Sequence, residues 1–281
     1  ILIGLVGSEM CIRDRNIGGC NMTTEELRNS LLASPKNGYT RISDAQRDEM
    51  ESYAQRYMAF MSECKTEREA TAWAVREAEK LGYKPFAPGM GAKPGDKIYY
   101  NNRNKSIALA VVGTRSLSEG ANICAAHVDS PRLDIKPNPL YEDSEISYLK
   151  THYYGGIKKY QWTAIPLALH GVVYRADGSV VTVTIGEDEG DPILMVSDLL
   201  PHLAADQMQK PAGKIIEGEQ LNVILGSQPL EGDGSDLVKL HIMKLLNEKY
   251  GLVESDFLSA ELTVVCLLYT SPSPRDRSVS R

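Results

Sequence analysis

His127 and Asp129 lie two residues apart, directly after the apolar run at positions 123–126. If this run is a strand, residues i and i+2 point to the same side, so Asp129 can accept the proton of one ring nitrogen of His127. The other nitrogen is then available to a metal ion, as in a histidine ligand supported by a carboxylate. For so short a pattern, the alternative is a histidine at a strand end whose ring is hydrogen-bonded but binds no metal.

The elements around this pair are predicted to be mixed helix and strand. Residues 97–100, 106–112 and 122–127 are predicted strands, and the last two are apolar enough to be central in a sheet. His127 would then lie at the carboxyl end of a strand, where ligands of open α/β sheets gather. The region before them is predicted to be helical up to Leu81, with Gly82 as the stop. Three capping boxes predict helix starts, namely Thr23 with Glu26, Ser43 with Gln46, and Thr66 with Glu69.

Beyond Pro139 the pattern becomes rich in strands. Residues 146–153, 166–174 and 180–185 are predicted strands, with a hairpin turn at positions 176–178. A helix over 236–250, closed by Gly251, and an alternating strand over 258–264 follow. The sequence therefore predicts an α/β fold in which a first domain (22–137) is interrupted by a β-rich domain (138–232) and resumes over 233–265.

Composition narrows the class of protein. Thirty-seven acidic residues against 31 Lys and Arg give a net charge of -6, which disfavours nucleic acid and anionic membrane as partners. No apolar run approaches the roughly 20 residues of a membrane span. Of the five cysteines, only Cys64 and Cys124 lie within residues 22–265, too few for a disulfide framework. We expect a cytoplasmic protein.

The two ends share an unusual relation. Residues 5–15 can be encoded by a DNA segment whose reverse complement, in another frame, encodes residues 266–275. That segment resembles the transposon-end adapter of sequencing libraries. We therefore expect residues 1–21 and 266–281 to be spurious and Met22 to be the start, and we exclude both ends from fold reasoning.

Three motifs carry a family resemblance. The run from Ala125 to Leu133 (AAHVDSPRL), the segment Tyr154-Gly155-Gly156 and the segment from Pro201 to Ala204 (PHLA) follow one another in order. Together they resemble the aspartyl aminopeptidase and vacuolar aminopeptidase I family of zinc metallopeptidases. The resemblance implies a zinc-peptidase-type α/β/α catalytic domain, incomplete here, that is interrupted by a β-rich oligomerisation domain. It also implies two zinc ions and a homo-oligomer that builds from dimers to dodecamers.

The resemblance also implies roles for individual residues. His127 would be a zinc ligand, and Asp129 would belong to the catalytic machinery as the carboxylate that orients it. His202 would contact substrate from a neighbouring subunit, although Asp206 stands where the family can carry a second histidine. The sequence ends before the family's bridging aspartate, paired glutamates and later aspartate and histidine, so we expect this chain by itself to be inactive.

The expected activity is zinc-dependent removal of single N-terminal residues from peptides. Two alternatives stay open from the residues alone. One is a related two-zinc carboxypeptidase or amide deacylase, because the first metal-ligand motif of those enzymes is also a His-x-Asp at the end of a strand. The other is a non-catalytic subunit that assembles without hydrolysing anything.

Overall fold

The computed structural model describes residues 23–267 of the 281-residue chain. These residues divide into two compact units, the first ending at Tyr53 and the second beginning at Ala54. The segments expected to be spurious, and Met22 as the expected start, lie outside the described residues except for Cys266 and Leu267.

The N-terminal helices begin where the capping boxes predict. In each box the Ser or Thr side chain accepts a backbone N–H of the first turn, and the Glu or Gln side chain accepts the backbone N–H of the capping residue. These bonds satisfy donors that a helix start leaves unpaired. The three predicted helix starts are therefore confirmed. The helices are α1 (Thr24–Leu31), α2 (Asp44–Glu63) and α3 (Glu67–Lys80).

Two further helices lie in the second half of the chain, the short α4 (Ala205–Met208) and α5 (Leu237–Tyr250). Gly251 ends α5 in the left-handed conformation, with φ of 67°, which costs glycine less than any other residue. The predicted helix and its stop are confirmed. Within residues 23–267, no helix is both long and apolar enough to cross a membrane.

A three-stranded sheet follows α3. Its strands are β1 (Lys84–Pro85), β2 (Lys97–Asn102) and β3 (Ser106–Val111), in the order β1-β2-β3. The expectation that β3 is central is wrong, because within the described residues β2 is its only partner. Its apolar side chains are accordingly exposed, with Leu109 at 49% and Val111 at 58%.

The expected strand at residues 122–127 is also wrong. Residues 121–131 form no helix or strand, and Ile123 is 87% exposed. A strand is stable only when a neighbouring backbone takes up its hydrogen bonds, and no described segment pairs with this one. His127 therefore lies in an extended loop that leads into the next strand.

The larger sheet has six antiparallel strands in the order β7-β6-β9-β4-β5-β8. The predicted strands and the hairpin turn between β6 and β7 are confirmed, since Tyr174 pairs with Val180 across the turn. Helices and sheets together confirm the α/β fold class. The six strands are β4 (Arg132–Asp143), β5 (Ile146–Tyr154), β6 (Leu167–Tyr174), β7 (Val180–Ile185), β8 (Val223–Gly226) and β9 (Ala260–Cys266).

β9 connects strands from both sides of the predicted boundary at residue 137. β9 lies between β6 and β4, so it completes the sheet that contains the strands of the predicted β-rich domain. β4 also runs across the predicted boundary at residue 137. The division into 22–137, 138–232 and 233–265 stays a prediction, since β9 pairs both with Leu133 and Asp134 of the first part and with β6 of the β-rich part.

The main core lies between the six-stranded sheet and the elements that cover it. Leu133, Leu149 and Leu167 are fully buried, and each such leucine stabilises the fold by roughly 1.5–3 kcal/mol. Leu246 of α5 and Phe257 belong to the same cluster. The core therefore fixes β4 and β5, the strands that flank the loop of His127.

Candidate metal-ligand site

His127 projects from the loop at residues 121–131, and its imidazole is 87% exposed. Its Nδ1 lies 3.0 Å from the backbone oxygen of Asp129 and 3.4 Å from the Oδ1 atom of that residue. The two side chains are therefore close together, as the spacing predicted, although the backbone between them is not a strand.

The surroundings of the ring determine which nitrogen is available. Both atoms that face Nδ1 are hydrogen-bond acceptors, so these contacts favour the tautomer of a neutral His127 that has its proton on Nδ1. No described residue makes a hydrogen bond to Nε2 of His127, which therefore keeps its lone pair. A neutral imidazole with one nitrogen held by a backbone oxygen and with a carboxylate beside it is a suitable zinc ligand.

Asp129 is itself held from a neighbouring strand. The hydroxyl of Tyr154, the last residue of β5, donates a 2.9 Å hydrogen bond to Oδ2 of Asp129. This bond is the main reason why the pKa of Asp129 lies below its ordinary value, and it raises the pKa of Tyr154. At neutral pH the contact therefore joins a phenol donor to a carboxylate acceptor.

Arg132 supports the tyrosine ring. Its guanidinium carbon lies 4.3 Å from the centroid of the Tyr154 ring, close enough for a cation–π interaction. Arg132 is only 11% exposed, and its Nε donates to Asp134 at 2.8 Å while its terminal nitrogens face Glu67 of α3. Two carboxylates thus hold the guanidinium in the position where it contacts the tyrosine ring.

The strand register explains why these residues meet. Arg132 and Tyr154 are directly opposite each other in the antiparallel pair β4–β5, so their side chains lie on the same face. Gly155 follows with φ of 80°, a conformation that L side chains rarely adopt. The chain therefore leaves β5 immediately after Tyr154, at the level of the His127 loop.

Residues 23–267 do not form a complete metal site by themselves. Among them, no group of three or more His, Cys, Asp or Glu side chains is arranged to hold a metal ion. His127 and Asp129 provide one nitrogen donor and the carboxylate behind it. A catalytic zinc ion needs about three protein ligands, so the described residues supply only part of such a site.

Comparison with known proteins gives this partial site its context. Residues 60–269 match the family model described as aminopeptidase I zinc metalloprotease (M18). The chain belongs to the M18 aminopeptidase family. The resemblance drawn from the three sequence motifs is confirmed.

Individual relatives agree with the M18 assignment. A probable M18 family aminopeptidase 1 from Clostridium acetobutylicum is 50% identical over 244 residues, which are 85% of this chain and 52% of the relative. The crystal structure of an M18 aminopeptidase from Thermotoga maritima has a TM-score of 0.78 at 41% identity, over 84% of this chain and 51% of that chain. The crystal structure of aminopeptidase I from C. acetobutylicum has a TM-score of 0.74 at 47% identity, over 84% and 53%. The chain therefore spans about half the length of these relatives.

These superpositions confirm the predicted zinc-peptidase type of α/β fold. A more distant structure, the yeast mApe1 dodecamer, shares the fold with a TM-score of 0.57 at 16% identity, over 78% of this chain and 49% of that chain.

His202 is the third residue that the M18 motifs single out. It occupies an exposed turn before α4, with Leu200 and Leu203 exposed beside it. No hydrogen bond or ion pair joins His202 to His127 or Asp129 among the described residues. Its predicted contact with substrate from a neighbouring subunit stays a prediction.

Sequence reasoning missed two residues that lie beside this pair. Arg132 and Tyr154 both belong to quoted motifs, but they are 22 positions apart and meet only through the β4–β5 register. The hairpin that joins β4 to β5 was the one sequence feature that could have predicted this contact. Pairing its strands would have placed Tyr154 opposite Arg132 and so near Asp129.

A second polar cluster lies away from His127. The buried ring of His170 on β6 bridges two glutamates, with Nδ1 2.7 Å from Glu69 and Nε2 3.0 Å from Glu187. Lys65, also buried, pairs with Glu187. Burial acts to raise the pKa of Glu69, but His170 and the N–H donors of Lys65 and Thr66 hold it below its ordinary value. Because both ring nitrogens contact carboxylates, neither is available to a metal ion. The cluster instead connects α3 to the sheet and stabilises the fold.

Proposed function

We propose that this chain is part of a zinc-dependent M18 aminopeptidase, in which His127 is one zinc ligand. The observation that carries the proposal is the geometry of His127 in a chain of this family. Its Nδ1 is engaged by Asp129, and its Nε2 is left to a metal ion. The reaction would be hydrolysis of the first peptide bond of a peptide substrate.

The residues present fit one position of a zinc site. A neutral imidazole is a common zinc ligand, and a carboxylate behind it raises its basicity and fixes its orientation. The remaining ligands and the general base would come from residues outside 23–267, since these hold no further ligand group. When bound, zinc would supply Lewis acidity, which polarises the scissile carbonyl and makes a water molecule more acidic. A pair of zinc ions is part of this proposal.

The roles of this chain's own residues follow from their contacts. His127 would hold the metal through Nε2 while its Nδ1–H stays bonded to Asp129. Asp129 would remain ionised, since the Tyr154 hydrogen bond keeps its pKa low. Its negative charge would then stabilise a ring that loses electron density to the metal.

Among the alternatives, the comparisons favour an aminopeptidase. The family model and the C. acetobutylicum relative both name aminopeptidases rather than carboxypeptidases or deacylases. A non-catalytic assembly subunit is distinguished by experiment, because it would carry the fold without needing His127.

We propose that the protein is a homo-oligomer that acts on peptides in the cytoplasm. The yeast neighbour is a dodecamer, and dimers that build such an assembly are the simplest arrangement for this chain. His202 lies in an exposed turn, which is where a residue offered to a neighbouring subunit must be. Free cysteines at positions 64 and 124 suit a reducing compartment.

The test uses a full-length enzyme. It can be made from the complete gene or by replacing the matching part of the C. acetobutylicum relative with residues 22–265. We expect His127→Ala to abolish aminopeptidase activity and to lower the zinc content. Asp129→Asn should cost about 10- to 100-fold in activity or zinc affinity, because it keeps the shape but loses the charge.

His152→Ala is the matched control, since His152 is exposed on β5 and stacks only on Tyr153. It should retain activity and zinc. Full activity with unchanged zinc content in His127→Ala would refute the proposal.

A further inference from the structure

The exposed position of His127 raises the question of what keeps its ring in place. Its polar contacts among the described residues are both with Asp129, which is itself 37% exposed in an irregular loop. A loop with exposed backbone and side chains does not by itself hold an imidazole in one orientation. The restraint has to come from a rigid element that contacts Asp129.

Tyr154 is that contact. Its hydroxyl lies 2.9 Å from Oδ2 of Asp129, while Oδ1 of the same carboxylate faces Nδ1 of His127 at 3.4 Å. One carboxylate oxygen thus accepts from the tyrosine and the other lies beside the histidine, whose Nδ1 is also hydrogen-bonded to the backbone oxygen of Asp129 at 3.0 Å. Tyr154 ends a strand whose partner β4 is anchored in the core through Leu133.

Arg132 fixes the tyrosine ring in turn. The guanidinium lies against the face of Tyr154 and is nearly buried. Glu67, at the start of α3, and Asp134 hold the guanidinium from other directions. A continuous series of contacts thus leads from α3, through Arg132 and Tyr154, to the loop that carries His127.

We propose that Tyr154 and Arg132 are positioning residues that fix Asp129 and thereby select the Nδ1–H tautomer of His127, the form whose Nε2 can bind a metal. The inference rests on the proposed function, because tautomer selection matters only if His127 is a ligand. In water a free imidazole favours the opposite tautomer, with the proton on Nε2. The two acceptors at Nδ1 are what reverse this preference.

A merely structural role for Tyr154 predicts something different. If the tyrosine only fastened the loop, its loss would lower stability without changing which nitrogen of His127 carries the proton. The tautomer is therefore the property to measure. It can be read from the ¹⁵N chemical shifts of the ring at an alkaline pH where the imidazole is neutral.

The experiment compares the ¹⁵N-histidine-labelled chain with its Tyr154→Phe variant, with no metal added. The signal of His127 is assigned as the one absent from His127→Ala. We expect the unsubstituted chain to be mainly Nδ1–H. Tyr154→Phe removes one hydroxyl and keeps the ring over Arg132. It should shift the ratio about two- to tenfold toward Nε2–H, because an Asp129 that is no longer held can turn away from Nδ1 and the acceptor contact there is worth about one hydrogen bond.

Tyr153→Phe is the matched control. Tyr153 is the preceding residue and is exposed to a similar degree, 37% against 42% for Tyr154. No hydrogen bond joins it to Asp129 in the described residues, so its loss should leave the ratio unchanged. Arg132→Lys is the second variant, since it keeps a positive charge beside Glu67 but loses the planar stacking on Tyr154. It should shift the ratio in the same direction by a smaller factor.

An Nε2–H form that dominates in the unsubstituted chain would overturn the inference. An unchanged ratio in both Tyr154→Phe and Arg132→Lys would also overturn it. These outcomes are separate from the proposed function, because the tautomer is measured without zinc. If full-length His127→Ala kept its activity and zinc, the zinc role would fail even where the tautomer had shifted as expected.

Discussion

Replacing His170 with phenylalanine should lower the free energy of unfolding by about 2–4 kcal/mol. The substitution keeps a buried ring of similar size but removes both nitrogens, which contact Glu69 at 2.7 Å and Glu187 at 3.0 Å. Hydrogen bonds to charged groups each contribute about 1.5–3 kcal/mol, which gives an upper range of about 3–6 kcal/mol. Both glutamates keep other partners, since Lys65 and Thr66 donate to Glu69, and Lys65 pairs with Glu187. Their side chains are also 29% and 27% exposed, so water replaces part of what the histidine provided.

The assay is urea unfolding at neutral pH, followed by circular dichroism, with the midpoint and slope compared between variants. His152→Phe is the control, because His152 is exposed and its loss should change the free energy by less than about 0.5 kcal/mol. A loss below about 1 kcal/mol for His170→Phe, or one equal to that of the control, would show that the bridge between the two glutamates does not stabilise the fold.

Three further predictions concern pH, backbone packing and metal content. The lowered pKa of Glu69 means that its contribution to stability is complete above the pKa of an unfolded glutamate and is lost as the pH falls through the folded value. Glu69→Gln should therefore flatten the acid side of the stability curve, and a curve that stays parallel to that of the unsubstituted chain would contradict this. Gly171→Ala should destabilise the chain by roughly 3 kcal/mol or more in urea unfolding, because a Cβ there would lie 2.0 Å from the backbone oxygen of Glu261 on β9; a loss under about 1 kcal/mol would mean that the strands separate easily. The chain by itself should hold no stoichiometric zinc after dialysis, since residues 23–267 contain no three-ligand cluster, and elemental analysis that found one ion per chain would contradict this.

The sequence alone was sufficient for features that depend on neighbouring residues. Capping boxes at Thr23, Ser43 and Thr66 begin helices because the bonds that define them join residues three positions apart. The stop at Gly251 likewise depends on a local backbone conformation. The closeness of His127 and Asp129 also follows from their spacing, and the three motifs were specific enough to predict the M18 family.

Contacts between distant segments were decided only by the tertiary structure. An apolar run is compatible with a central strand, an edge strand or an exposed loop, and only the presence of a partner backbone decides among them. For this reason β3 is an edge strand and residues 121–131 are irregular, contrary to expectation. The same reason explains why β9 joins the six-stranded sheet.

The contacts of Tyr154 and His170 were likewise decided by the tertiary structure. Tyr154 reaches Asp129 because β5 pairs with β4 in one register, and a shift by one residue would turn the tyrosine to the other face. His170 has no local motif, yet folding places it between carboxylates from α3 and from the segment after β7. Local chemistry thus indicated which residue to propose as a metal ligand, whereas the strand register determined which side chains contact Asp129 beside it.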